Sequence, residues 1–109
     1  MEFYEDTLKA LVDSLLEYGY PEKSLAIEWP VGKSRVALAV IDLYTGEPIA
    51  LFEVKGIKST KNESTGKAQL KKYLYTLRNL NIQTYLVYRR EGVPPFEVQR
   101  IKFDWDKNE

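Results

Sequence analysis

Residues 34–43 read SRVALAVIDL, residues 44–47 read YTGE, and residues 48–57 read PIALFEVKGI. The two outer segments are β-branched and apolar, and a short link carrying Gly46 joins them, which predicts an antiparallel hairpin. We take Tyr44-Thr45-Gly46 as a three-residue loop with Gly46 in the left-handed conformation. Residue 37 then faces Glu53, residue 35 faces Lys55, and Asp42 faces Pro48. Asp42 lies five residues along the strand from Glu53 in this register, about 17 Å away and on the other face. A five-residue loop keeps residue 37 on the Glu53 face, and a two-residue loop does not.

The rest of the chain supplies the layers around this hairpin. Residues 3–18 predict a helix, with Phe3, Leu8, Leu11, Val12, Leu15 and Leu16 at helical spacing and Glu5, Asp6, Asp13 and Glu17 on the wet side. Gly19 and Pro21 end it. Residues 24–29 (SLAIEW) predict a first strand, broken at residues 30–32. Residues 57–63 (IKSTKNE) read as a polar, basic loop. A second helix is expected from about Ser64 to Leu80, with Ser64 or Thr65 as N-cap, Leu70, Leu74 and Leu77 as its buried stripe, and Asn81 closing it. Residues 82–88 (IQTYLVY) predict a buried strand, and residues 96–103 (FEVQRIKF) an edge strand after Pro94-Pro95. The order α-β-β-β-α-β-β predicts an α/β fold, a mixed sheet flanked by helices.

Composition narrows the chemistry. The 109 residues suit a single domain over 1–109, and the 16 basic and 16 acidic residues balance. With no cysteine and no histidine, thiol nucleophiles, Ser-His-Asp catalysis and the usual zinc sites are excluded. A metal here must take oxygen ligands, which points to magnesium, manganese or calcium. No apolar run reaches the roughly 18 residues of a membrane span, and the start MEFYEDTLKALV is acidic where a signal peptide is basic. A cytoplasmic protein with no membrane partner is expected.

Glu53-Val54-Lys55 sets an acid and a lysine side by side on one face of a strand that is otherwise apolar, with Ile49 and Leu51 before them. Such a pair is costly unless it is partnered or functional. Taken alone, the triplet reads as a solvated strand end with a cross-strand ion pair. The second helix changes this reading, because Gln69 and Tyr73 lie one turn apart beside its leucine stripe and border the sheet.

The hairpin, Glu53-x-Lys55, the polar loop and Gln69-x-x-x-Tyr73 together resemble the PD-(D/E)XK nuclease superfamily. The likeness is to the nuclease domain of type I restriction enzyme R subunits and to RecB-type nucleases. It runs from Gly32 to about Tyr73 (GKSRVALAVIDLYTGEPIALFEVKGI, then QLKKY), with LLEYGYPEKSLAIEWPV as a similar lead-in. The resemblance implies a restriction-endonuclease-like sheet and a Mg²⁺- or Mn²⁺-dependent DNA endonuclease. It gives Glu53 as a metal ligand, Lys55 as the group assisting attack of water, and Gln69 and Tyr73 as further site residues. Two carboxylates suit a hard cation, and such a cation polarises phosphate and acidifies its water.

The family's second metal ligand is an aspartate in an Arg-x-Asp pattern, and here that pattern reads Arg35-Val36-Ala37. Ala37 stands where the ligand is expected. Natural loss accounts for it, and so does replacement of an aspartate to silence the site. The second reading is favoured because the rest of the motif is intact. The chain as written is therefore expected to be inactive.

Lys58, Lys61, Lys67 and Lys71, with Lys72 and Arg78, form a candidate phosphate-contacting rim. Glu5 and Glu28 are candidates for a further acid but read more readily as surface residues. Trp29 and Trp105 read as packing or interface residues, and Arg89-Arg90 as a surface pair. Three functions are carried forward: a DNA endonuclease of restriction-modification type, a non-catalytic nucleic-acid-binding or scaffold domain on the same fold, and a small regulatory α/β domain. A domain this small cuts one strand, so double-strand cleavage calls for a homodimer or a larger nuclease complex.

Overall fold

The computed structural model describes residues 2–105, with side chains from residue 4 onward. Its elements are α1 (Glu2–Tyr18), β1 (Leu25–Val31), β2 (Ser34–Ile41), β3 (Pro48–Ile57), α2 (Thr60–Leu77), β4 (Gln83–Arg89) and β5 (Phe96–Ile101), with a 3-10 turn at Glu22–Ser24 before β1. The five strands form one mixed sheet in the order β1-β2-β3-β4-β5. β3 and β4 are parallel, joined through α2, and the other neighbours are antiparallel. The expected α/β class and order of elements are both present.

The helices cover opposite faces of the sheet. Leu8 and Leu11 of α1 pack with Leu38, Val40, Ala50, Phe52, Val54 and Val87. Leu70, Tyr73 and Leu74 of α2 pack with Val36, Ala39, Leu51, Leu86, Tyr88 and Ile101. β3 and β4 are buried on both faces, as expected of parallel strands under helices, and this accounts for their nearly continuous apolar runs. Gly66 brings α2 close to the sheet: a Cβ there would lie 2.5 Å from Leu86 Cδ2, and Leu86 is fully buried. A polar chain also ties α2 to β5. The Tyr88 hydroxyl donates to Gln99 Oε1 at 2.7 Å, and Gln99 Nε2 donates to Glu63 at 3.1 Å. Those bonds and the Lys67 ammonium hold the Glu63 carboxyl below the usual carboxylate range.

Several boundaries differ from those read in the sequence. α2 begins at Thr60, so most of the expected loop over residues 57–63 is its first turn. Ser59, not Ser64 or Thr65, is the N-cap: its hydroxyl accepts from the Asn62 N–H at 3.0 Å, and Asn62 Nδ2 donates to the Ile57 carbonyl at 2.7 Å. The first turn is exposed, so it needs no apolar residues and leaves no hydrophobic periodicity to read. The helix closes at Arg78 in the left-handed conformation, ahead of Asn81, and Tyr73 and Gly66 join Leu70 and Leu74 in the buried stripe while Leu77 is half-buried. β1 continues through Pro30 to Val31, which an edge strand permits because the missing N–H breaks no inner ladder. The expected role of Phe3 falls outside the described side chains.

The position of the cap gives a direct test. Ser59→Ala should lower stability by about 1 kcal/mol in urea unfolding. Ser64→Ala, inside the helix, should be neutral or slightly stabilising. Equal effects would place the helix start where the apolar pattern suggests.

Candidate active site

Three rungs of the hairpin, Leu38 opposite Phe52, Ala39 opposite Leu51 and Val40 opposite Ala50, follow the register read from the sequence. At the turn the register slips, so that Ile41 faces Pro48. Asp42 closes the turn: its N–H donates to the Glu47 carbonyl at 2.8 Å, and its Oδ1 accepts from the Tyr44 N–H at 2.8 Å. Gly46 is left-handed there, with φ 76°. Asp42 is thus a turn residue at the far end of the hairpin from Lys55.

At the other end of the hairpin the regular pairing of β2 with β3 stops at Leu38 and Phe52. On the opposite edge of β2, the pairing with β1 skips Glu28 and Ala37. Glu28 has φ 54°, a left-handed conformation costing an L-residue roughly 1–2 kcal/mol. Alternation fails at this place: Val36 and Ala39 pack on the α2 side, while Ala37 and Leu38 both pack on the α1 side. The expectation that Ala37 shares the Glu53 face is therefore corrected. The local break turns it into the core beneath α1.

Glu53 fills the opening between the strands. It is 8% exposed, and its Oε1 lies 3.5 Å from the Ala37 N–H and 3.4 Å from the Tyr73 hydroxyl. Bond geometry keeps the Ala37 Cβ within about 6 Å of that oxygen. The Tyr73 hydroxyl also reaches the Arg35 carbonyl at 3.1 Å. A single phenolic proton serves one of these acceptors at a time. If Glu53 carries a proton, it donates to the Tyr73 oxygen while Tyr73 donates to Arg35, and all three groups are satisfied.

Burial pushes the Glu53 carboxyl above the usual carboxylate range; Lys55 and the bonds from Ala37 and Tyr73 oppose this, and Glu28 adds to it. Burial and the Glu53 charge push the Tyr73 phenol up to about 12. Tyr4 of α1 donates a short hydrogen bond to Glu28 Oε2, and burial together with that bond and the Glu28 charge raises its phenol as well. Tyr4, Glu28, Glu53 and Tyr73 thus lie within one another's fields. Glu28, read from the sequence as a surface residue, belongs to the site. A left-handed backbone at Glu28 gives no signal in the string LAIEW, and the short bond from Tyr4 depends on the docking of α1.

The remaining candidates divide. Lys55 is half-buried beside Glu53. Gln69 stands one turn before Tyr73, and its Oε1 is buried with no hydrogen-bond partner among the described residues. Glu5 is exposed, and Trp29 packs on the α2-side core. The lysines have different neighbours. Lys58 lies 5.9 Å from the Tyr88 ring centre, Lys67 pairs with Glu63 at 3.1 Å, Lys71 lies 5.6 Å from the Trp105 ring centre, and Lys61 is exposed on the first turn of α2.

No family model matches the chain, and no characterised protein and no solved structure is significantly similar to it.

Because the fold raises the Glu53 carboxyl above its ordinary value, the stability tied to its protonated form should be lost as pH rises from its unfolded value through its higher folded one. Glu53→Gln removes that loss. The variant should melt at a higher temperature than the parent at pH 8, and the difference should shrink toward pH 4. A difference that does not change with pH would show that the fold does not raise the Glu53 carboxyl.

Proposed function

We propose that this chain has the fold of a metal-dependent DNA endonuclease of the PD-(D/E)XK type, with an incomplete metal site, and that in its present form it holds DNA without cutting it. The observation that carries this reading is the meeting of Glu53, Lys55 and Tyr73 at the place where β2 and β3 part. The restriction-endonuclease-like sheet and the roles of the motif residues are part of the same proposal.

The donor set argues against a tightly held cation in this chain. Among the described residues, no group of three or more histidines, cysteines, aspartates or glutamates is placed to hold a metal. Position 37 offers a methyl group, Glu28 is engaged by Tyr4, and burial raises the Glu53 carboxyl. A hard cation needs charged oxygens, and these residues do not fit one. No step through a metal is derived for the chain as it stands. What its own residues can do is offer the half-buried Lys55 beside Glu53 as a cation for a phosphate.

Restoring an acid tests the reading. Ala37→Asp places an acid whose Cβ lies within about 6 Å of Glu53 Oε1 but on the α1 side of β2, and it should destabilise the metal-free protein by on the order of 1–3 kcal/mol, because a polar group is then buried without a partner. Magnesium or manganese should raise the melting temperature of this variant and not of the parent. It should also nick supercoiled DNA, and adding Lys55→Ala should lower that rate on the order of 100-fold while the metal-induced stabilisation remains. The unaltered chain should bind DNA with an affinity that falls steeply with salt. A restored acid that gives neither a metal response nor cleavage would overturn the nuclease reading. Salt-independent DNA binding, or none, would overturn the holding role and favour the regulatory domain.

A further inference from the structure

A cavity of about 260 Å³ lies between the C-terminal part of α2, the start of β4 and the end of β5. Its walls differ in chemistry. Phe103 and Trp105 give it aromatic surface, Asn81 stands at it with a carboxamide, and Lys102 brings a cation to its edge. Gln83 Oε1 accepts from the Tyr85 hydroxyl at 2.6 Å on the α1 face of the sheet, so the Gln83 side chain faces away from α2. Trp105 is held in place by its neighbours. Tyr75 meets it edge-on with ring centres 5.4 Å apart, Phe103 packs at 5.3 Å, and the Lys71 ammonium lies 5.6 Å from its centre.

We propose that this cavity is a nucleotide site, with a base stacked against the Trp105–Phe103 wall and its phosphate met by Lys102 and Lys71. The volume falls below that of drug-sized sites and suits one ring system. Stacking of a base on an aromatic side chain contributes about 1–3 kcal/mol and tolerates any base. The Asn81 carboxamide offers a donor and an acceptor to a base edge, and the two ammonium groups suit the phosphate. A purely apolar ligand would leave this amide and these cations without a role, and a simple anion would leave the aromatic wall unused. The same chemistry is presented by a free nucleotide and by a base of a single strand.

The site is separate from Glu53. Gln83 pairs with Ala50 and Leu86 pairs with Glu53, so the two places are about 10 Å apart along the strands. Lys71 leaves α2 on the flank opposite Gln69 and Tyr73. The proposal does not rest on the nuclease reading.

Trp29 and Trp105 are the two tryptophans of the chain, so Trp29→Phe leaves Trp105 as the reporter. We would titrate this protein with adenosine monophosphate, a short oligothymidylate and inorganic phosphate. Saturable quenching by either nucleotide, without quenching or equal competition by phosphate, is the expected result. Affinity tenfold tighter for the oligonucleotide would assign the site to single strands, and comparable affinity would assign it to free nucleotides. In equilibrium dialysis on the parent background, Trp105→Leu should weaken binding roughly tenfold. Lys102→Gln should weaken the monophosphate but not adenosine. Lys71→Gln should also weaken the monophosphate, and it keeps the test open should Trp105→Leu fail to fold. Absence of saturable quenching, phosphate competing as well as the nucleotide, or unchanged affinity in the variants would overturn the proposal.

Discussion

A carboxylate that is 8% exposed occupies the gap where β2 leaves β3. Beyond Leu38 the strand gives up regular pairing with β3, and the Ala37 N–H turns to Glu53 Oε1. A buried N–H must find an acceptor, and a buried carboxylate must find donors or a proton. Here each partly meets the need of the other, with Tyr73 reaching in from α2. The bonds are long, at 3.5 and 3.4 Å, so neither satisfies the carboxylate fully. The left-handed Glu28, the inward turn of Ala37 and the docking of Tyr4 and Tyr73 all gather around this one unresolved need.

The sequence made the hairpin legible because both strands carry buried side chains, and burial specifies register strongly. The rungs from Leu38 to Val40 therefore fall as the pattern requires. The turn was less legible. Its register depends on a slip between Val40 and Ile41 and on the bonds of Asp42, and neither leaves a mark in apolar spacing. The start of α2 was hidden for a related reason. A solvated turn of Thr60, Lys61, Asn62 and Glu63 has no apolar face, and its cap depends on the Ser59 hydroxyl and the Asn62 amide.

For the site, side-chain type was more informative than strand geometry. Glu53, Lys55 and Tyr73 could be placed together because their spacing on one strand and one helix fixes their faces. Glu28 and Ala37 could not, because alternation predicts a face only where the strand is regular. One residue at φ 54° on β1, opposite the skipped Ala37, is enough to invert that prediction. For the lysines, helical spacing gives a flank but not the neighbours, which are Glu63 for Lys67 and Trp105 for Lys71.

α2 separates two chemical regions, and its geometry explains why they do not compete. With about 100° between successive residues, Leu70 and Leu74 point to the sheet, Gln69 and Tyr73 fall to one side, and Lys67 and Lys71 fall to the other. Tyr73 carries the first side to β2 and Glu53, where burial weakens carboxylate charge. Lys71 carries the other to Trp105, where a cation lies near an aromatic face. Gly66 lets the helix approach Leu86 closely enough for both sides to reach their partners. A larger residue there would press on a fully buried leucine and lift the helix, moving Tyr73 away from Glu53 and Lys71 relative to Trp105 together. The two regions are thus independent in chemistry but depend on a single packing distance.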